Sequence, residues 1–192
     1  MSMPQFGSAV KEVKISDKDG TVTTVRLVQI KNAPPMNLWD DANTPLKTEW
    51  GLSHYNADTK KKGDLDLLLT PDVEARMRLV DAFVVEAGKD ITRSYFKKSK
   101  NLTYRPLVTQ NDAGAAVLKV KVGDKTSVYT HEREVASLSN LTAQSSCLAI
   151  AEYTCLWFSD TNFGVTLGAK AVMVKAAPTE RHLEAFPDII WS

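Results

Sequence analysis

One helical segment lies between two stretches of β pattern, and this arrangement restricts the fold more than any other feature of the sequence. From Val73 to Tyr95, apolar residues recur at spacings of three and four, which is typical of a helix with one buried face. Thr70 is a favourable N-cap, and Pro71 suits the first helical position. We therefore predict one long α-helix over about residues 70–98.

The rest of the chain is rich in strand patterns. Strands are predicted at residues 9–15, 21–31, 50–55, 65–69, 116–122, 126–131, 147–158 and 163–175. The first two form a hairpin around the turn that ends at Gly20, and residues 126–131 are expected to pair with the strand before them. Residues 32–47 contain several prolines and are predicted to form a long loop. Strands on both sides of a single helix indicate a mainly β fold, either α+β or a β-barrel, rather than alternating βαβ units.

The charge is balanced overall but unevenly distributed. The 192 residues include 24 Lys+Arg and 23 Asp+Glu, and the net charge of +1 argues against a histone-like mode of binding. Basic residues concentrate between Lys89 and Arg105, at residues 60–62 and on the strand at 116–122. After Pro178 the balance reverses, so that residues 178–192 form a mildly acidic tail. This asymmetry directs the search for a function to the basic middle of the chain.

The composition excludes several classes of protein. With 43% hydrophobic and 24% charged residues, the chain is not intrinsically disordered. No apolar run approaches the roughly 18 residues of a membrane span, and residues 1–8 lack the pattern of a secretory signal. Cys147 and Cys155 lie on one predicted strand, where they could not reach each other for a disulfide. We expect an intracellular protein with no membrane partner.

No arrangement of residues points to catalysis, a metal or a cofactor. The three histidines, His54, His131 and His182, stand far apart in the sequence, and no zinc, Walker, dinucleotide or nucleophile-elbow motif is present. Asp64, Asp66 and Asp72 bracket an apolar strand and could be imagined as a metal cluster. Alternation divides them between a strand face and the helix cap, so their expected role is solvation. We therefore predict that the protein is not an enzyme.

The polar strand faces carry lysine, and the loops carry aromatic residues, a combination that suits single-stranded nucleic acid. Cations follow the phosphates, and exposed rings stack on bases. Lys119 and Lys121 are expected to project from one strand face about 6.6 Å apart. Of Trp157 and Phe158, one is expected in the core and one at the surface. The candidate binding residues are Trp39, Trp50, Tyr55, Lys61, Lys97, Lys98, Tyr104, Arg105, Lys119, Lys121, Tyr129 and Phe158. For Lys97 and Lys98, complementation of the helix dipole is an equal alternative.

The last two predicted strands resemble a known family. Leu156-Trp157-Phe158, four polar residues, and then Phe163-Gly164-Val165-Thr166 with the strand through Lys175 are similar to the end of the oligonucleotide/oligosaccharide-binding (OB) barrel in viral single-stranded DNA-binding proteins. These are the T7-like phage proteins and their counterparts in large algal viruses, and the resemblance covers chiefly residues 104–175. It implies a partly open five-stranded OB-like barrel, here within a single domain over residues 1–177. It also implies a protein that coats single-stranded DNA in replication and recombination.

The same resemblance implies a function for the acidic tail. In the family, such a tail ends in an aromatic residue, competes with DNA for the groove and recruits replication proteins. Here Glu180, Glu184 and Asp188 accompany Trp191, although Arg181 interrupts the acidic residues. The sequence leaves open RNA as a partner, a homodimer and regulation by the tail. It also leaves open a different class of function, a virion structural or assembly protein with a β-sandwich fold.

Overall fold

The chain forms a mainly β structure with one long helix. A computed structural model describes residues 5–16, 19–39, 43–54, 63–95 and 102–175. The strands are β1 (Gln5–Ser16), β2 (Val22–Lys31), β3 (Met36–Leu38), β4 (Leu46–His54), β5 (Gly63–Leu68), β6 (Thr103–Tyr104), β7 (Val108–Gln110), β8 (Ala116–Val122), β9 (Ser127–Thr130), β10 (Ser146–Phe158) and β11 (Asn162–Lys175). The helix α1 is Pro71–Tyr95, and a 3₁₀ turn occupies Leu138–Asn140. Within these residues, no helix has the length and apolar character that crossing a membrane requires.

The strands belong to one sheet that curls back on itself. Strand β10 pairs with β11 along one edge and with β2, β3 and β4 along the other. From β4 the antiparallel pairing continues through β5 to β8, and β8 meets β11 in parallel where Lys121 faces Gly168. The circuit β10-β4-β5-β8-β11 therefore returns to its starting strand. Because the β8–β11 contact is short, the sheet is partly closed.

The helix packs its apolar face into the core, as the spacing of its residues predicts. Val73, Met77, Val80 and Val84 are fully buried in the same cluster as the inward side chains of the sheet. Near the other end of α1, Gly88 lies against the ring of Phe163, and a Cβ there would overlap that ring. The start of the predicted helix is confirmed at Pro71. Its predicted extension to residue 98 lies outside the described residues.

A buried carboxylate fastens the segment before β7 to the helix. The Asp81 side chain on α1 accepts hydrogen bonds from the hydroxyl of Tyr104 at 2.6 Å and from the backbone N–H of Leu107 at 2.8 Å. A longer bond of 3.3 Å comes from the N–H of Val108. Since Asp81 is buried, these donors supply the contacts that water would otherwise make. Residues 104–108 are therefore held in place by the helix.

Most predicted strands are confirmed, and two predictions are wrong. The hairpin forms between β1 and β2, and β8 has the bounds that the alternation predicts. The loop at residues 32–47 instead contains β3 and the start of β4. In β3 two buried apolar residues flank the exposed Asn37, and a strand this short after two prolines leaves little pattern to detect.

The second error concerns pairing. Strand β9 runs parallel to β11 rather than pairing with β8, the strand before it. The turn between them explains this: the Thr126 hydroxyl accepts from the N–H of Gly123 at 3.1 Å and donates to the carbonyl of Ala169 on β11 at 2.7 Å. This bond ties the turn before β9 to β11. The predicted tail at residues 178–192 lies outside the described residues, and the single domain over residues 1–177 stays a prediction.

Candidate nucleic-acid interface

The candidate residues fall on two outward faces of the sheet, in the core, and in parts of the chain that the structure does not describe. Tyr55, Lys61, Lys97 and Lys98 belong to the last group. The remaining eight have described side chains, and each is placed below.

The first surface is the lysine–aspartate face, formed by Asp64 and Asp66 on β5 and by Lys119 and Lys121 on β8. Asp64 stands opposite Lys121 in the register, and Asp66 stands opposite Lys119. The Nζ of Lys121 is 2.7 Å from Oδ1 of Asp64, and the Nζ of Lys119 is 3.4 Å from Oδ1 of Asp66. The two lysines lie on one face, as alternation predicts, but each stands directly across from an aspartate on the neighbouring strand.

Pairing reduces what these lysines offer to a phosphate. The Asp64 side chain is only 2% exposed, whereas Lys121 is 45% exposed. A carboxylate that leaves water needs a compensating charge, and Lys121 provides it. The expectation that solvation is the role of both aspartates is therefore wrong for Asp64. The face carries two positive and two negative groups, so its charges cancel.

Trp50 lies at the edge of the lysine–aspartate face. Between Thr48 and Leu52, three residues of β4 stand opposite one residue of β5, Asp66. This bulge includes Gly51, which has a φ of +75° and packs so tightly that a Cβ would lie 2.8 Å from the carbonyl oxygen of Leu141. With its neighbour held in this way, Trp50 is 73% exposed. It is the candidate ring most open to solvent in the described part of the chain.

Phe158 and Tyr104 belong to the core side of the sheet. Phe158 is 1% exposed and stacks on Phe163, with ring centroids 5.6 Å apart. Tyr104 packs on the same ring at 5.1 Å. Burial, together with the hydrogen bond to Asp81, raises the pKa of Tyr104 above its ordinary value. The prediction that Phe158 is an exposed stacking ring is wrong, because its side chain points inward while that of Trp157 points outward.

Contacts with Arg105 and Trp157 explain why a glycine, Gly164, follows Phe163. Arg105 is exposed, and its Nε donates to Oδ1 of Asn162 at 3.0 Å. Gly164 lies between its carbonyl and the indole of Trp157, where a Cβ would be 3.0 Å and 2.9 Å from them. The glycine leaves room for the half-buried indole beside β11. The residue pattern behind the family resemblance thus has a packing cause in this chain.

The second surface is the aromatic face, on the outer side of β10 and β11. Its side chains line one open cleft of about 230 Å³: Trp39, Tyr129, Leu148, Ile150, Ala171 and Met173. Leu148 pairs with Met173, and Met173 pairs with Tyr129. Trp39, at the end of β3, closes the other side. The structure therefore brings together two rings that lie 90 positions apart in the sequence.

The sequence analysis missed the floor of this cleft and two lysines beside it. An almost continuous apolar strand is typical of burial on both faces, which concealed the outward position of Leu148 and Ile150. Lys47 on β4 and Lys175 on β11 both pair with Ser146 of β10 and are exposed. They form the row next to the rings. The alternation of β11 could have identified Lys175, because residues two positions apart on a strand, such as Met173 and Lys175, lie on the same face.

Comparison with known proteins shows the fold. No protein-family model matches the sequence, and no curated protein matches it. Among solved structures, gp2.5, a single-stranded DNA-binding protein encoded by bacteriophage T7, matches with a TM-score of 0.55 and 10% identity over 80% of this chain and 98% of that one. The single-stranded DNA-binding protein of bacteriophage Enc34 in complex with ssDNA matches with a TM-score of 0.51 and 10% identity over 80% and 92% of the two chains.

A C-terminally truncated form of the Enc34 protein gives the same result, with a TM-score of 0.50 and 10% identity over 88% of this chain and 97% of that one. At this identity the likeness concerns the fold. It confirms that the chain folds like phage single-stranded DNA-binding proteins, as the Phe-Gly pattern led us to expect. The resemblance to proteins of large algal viruses stays a prediction.

Proposed function

We propose that this protein is a non-catalytic single-stranded DNA-binding protein that coats DNA during replication or recombination. The observation that carries the proposal is the shared fold with T7 gp2.5, which extends over 98% of that chain. The strand circuit β10-β4-β5-β8-β11 supports a partly open, five-stranded OB-like barrel, an architecture that binds oligonucleotides across its strands.

The alternative of a virion β-sandwich receives less support. A sandwich consists of two sheets packed face to face, whereas the strands of the described residues belong to one hydrogen-bonded sheet. The similar solved structures are likewise those of single-stranded DNA-binding proteins. We therefore place the protein among DNA-binding proteins rather than scaffolds.

The partners follow from this function. Single-stranded DNA is the proposed ligand, and RNA remains an alternative because a stacking groove tolerates every base. An intracellular location, a homodimer and recruitment of replication proteins through residues 178–192 are parts of the same proposal.

The test is a binding titration with labelled oligo(dT) at several salt concentrations. We expect a dissociation constant of about 1 μM or lower at 50 mM salt, because the phosphate term dominates such affinities, and a steep loss between 50 and 200 mM salt. Unlabelled oligo(dT), oligo(U) and duplex of equal length then serve as competitors. Absence of binding at low salt, or stronger competition by duplex than by oligo(dT), would contradict the proposal.

A further inference from the structure

The aromatic face is an outward surface, although most of its residues are apolar. On β10 and β11 the alternate residues Cys147, Ala149, Val172 and Val174 are at most 3% exposed and belong to the core. Their neighbours Leu148, Ile150 and Met173 therefore point to the other side of the sheet, where they are half-buried. An apolar surface that the fold does not cover marks a binding site in many proteins.

The rows of the face place aromatic and positive groups next to each other. Leu148, Met173 and Tyr129 form one row, and Trp39 follows Leu38, whose partner Ala149 is next to Leu148. The next row holds Lys47 and Lys175, about 7 Å away along the strands. Within the part of the chain that the structure describes, neither lysine has a carboxylate at ion-pair distance. Positive charge beside open rings is complementary to a strand of nucleotides.

We propose that the aromatic face is where bases of single-stranded DNA stack, between Trp39 and Tyr129, with Lys47 and Lys175 on the adjacent phosphates. This inference rests on the proposed function and assigns its contact surface. Leu148, Ile150, Ala171 and Met173 form the apolar floor beneath the bases. The lysine–aspartate face is then a secondary surface, where lysines are held by carboxylates of their own chain.

The size and charge of the cleft favour a nucleotide over a second copy of the protein. This cleft of about 230 Å³ is smaller than the roughly 300–1,000 Å³ of pockets for drug-sized ligands. A cleft of this volume suits a base. The two lysines at its end favour a polyanion, and the outward rings favour a planar π-system.

The experiment compares the half-buried Trp39 of the aromatic face with the exposed Trp50 at the edge of the lysine–aspartate face. Wild-type protein, Trp39→Ala, Tyr129→Ala and the matched control Trp50→Ala are titrated with labelled oligo(dT) at 50 mM salt. Each substitution on the aromatic face is expected to weaken binding about 10-fold or more, which is the usual value of a stacked ring. Trp50→Ala is expected to change it less than about 3-fold. Tyr129→Phe keeps the ring and is expected to restore the affinity.

A second pair of variants tests the phosphate contacts without touching the floor of the cleft. Each neutralised phosphate contributes about 0.7 to the salt dependence of single-strand binding. The double variant Lys47→Ala, Lys175→Ala is therefore expected to lower the slope of log K against log[salt] by about 1.4. Lys125→Ala, on the turn after β8, is the control and should leave the slope unchanged. These surface substitutions keep the proposal testable even where Trp39→Ala folds poorly.

The outcomes separate this inference from the proposed function. If wild-type protein binds oligo(dT) but the aromatic-face variants bind equally well, the contact surface is wrong and the function stands. If wild-type protein does not bind, both fail. Sedimentation of each variant adds a third outcome: a change of oligomeric state with unaltered DNA affinity would assign the face to a second copy of this chain and overturn the inference.

Discussion

The two outward faces of the sheet contain similar residue types, but they differ in what surrounds the lysines. On the lysine–aspartate face, Lys119 and Lys121 lie within 4 Å of Asp64 or Asp66. On the aromatic face, Lys47 pairs with Ser146 and Leu68, and Lys175 pairs with Ser146. The residues of one strand therefore do not show how much positive charge its lysines offer to a ligand, because that charge depends on the side chains of the neighbouring strands.

The largest expected effect is on stability, from loss of the charge that balances Asp64. Lys121→Ala leaves a carboxylate that is 2% exposed without its nearest cation, and we expect the free energy of unfolding to fall by about 1–3 kcal/mol. The measurement is urea denaturation at pH 7. The double variant Asp64→Asn, Lys121→Ala removes the buried charge and is expected to recover part of the loss.

The same variant separates the two faces by affinity. Lys121→Ala is expected to change oligo(dT) affinity less than about 3-fold, because this lysine is held by its own chain. A loss as large as that of Trp39→Ala would assign DNA binding to the lysine–aspartate face and reverse the comparison.

Tyr104 gives a smaller change in stability and tests whether it belongs to the core rather than to either face. Tyr104→Phe removes the hydroxyl that donates to Asp81 at 2.6 Å, and we expect a loss of about 1–2 kcal/mol in the free energy of unfolding. Thermal denaturation measures this. Oligo(dT) affinity should stay at the wild-type value, and a clear loss of affinity in a stably folded variant would return Tyr104 to the binding surface.

A still smaller effect is expected at Asp66. Asp66→Asn releases Lys119 from a carboxylate 3.4 Å away, which raises the positive potential of the lysine–aspartate face. Because screening weakens an exposed charge at a distance, we expect no more than about a twofold gain in oligo(dT) affinity. A tenfold gain, measured by the same titration at 100 mM salt, would mean that DNA lies on this face and competes with the carboxylate.

The smallest effect is on the reactivity of Cys147, on the core-facing side of β10. Cys147 lies on the core side of the strand, and burial raises its pKa from the ordinary value of 9.0 to about 12. The neutral thiol is the buried form, so this residue stabilises the fold below about pH 9, and the stabilisation is lost as the pH rises toward 12. At pH 8 we expect no alkylation of Cys147 by iodoacetamide in the native protein, followed by mass spectrometry. Rapid labelling would show that the two sides of β10 are wrongly assigned.

The sequence predicts the helix and strands of this fold better than it predicts how the strands pair. The helix stripe from Val73 to Val84 and the alternation of β8 are local patterns, and both are confirmed. The parallel pairing of β9 with β11 joins residues 44 positions apart in the sequence, and the Thr126 hydroxyl donates to a carbonyl 43 residues later. No local pattern contains that information.

The candidate site shows the same limit. The sequence offers Trp39 and Tyr129 as aromatic candidates, but their meeting in one cleft depends on the order of β3, β10, β11 and β9. Lys119 and Lys121 were correctly placed on one face, while their aspartate partners depend on the register between β5 and β8. The sequence does not show which of Trp157 and Phe158 faces the core, because neighbouring residues of a strand simply point to opposite sides. The register shifts along β10 interrupt the alternation that would otherwise assign the two sides.

The most direct test of the central claim is the quenching of tryptophan fluorescence by saturating oligo(dT) in Trp39→Phe and Trp50→Phe. The chain has four tryptophans, and a ring that stacks on a base loses its emission. We predict that Trp39→Phe still binds but loses most of the quenching, and that Trp50→Phe retains it. Quenching that survives in Trp39→Phe and disappears in Trp50→Phe would place the DNA on the lysine–aspartate face and contradict the account.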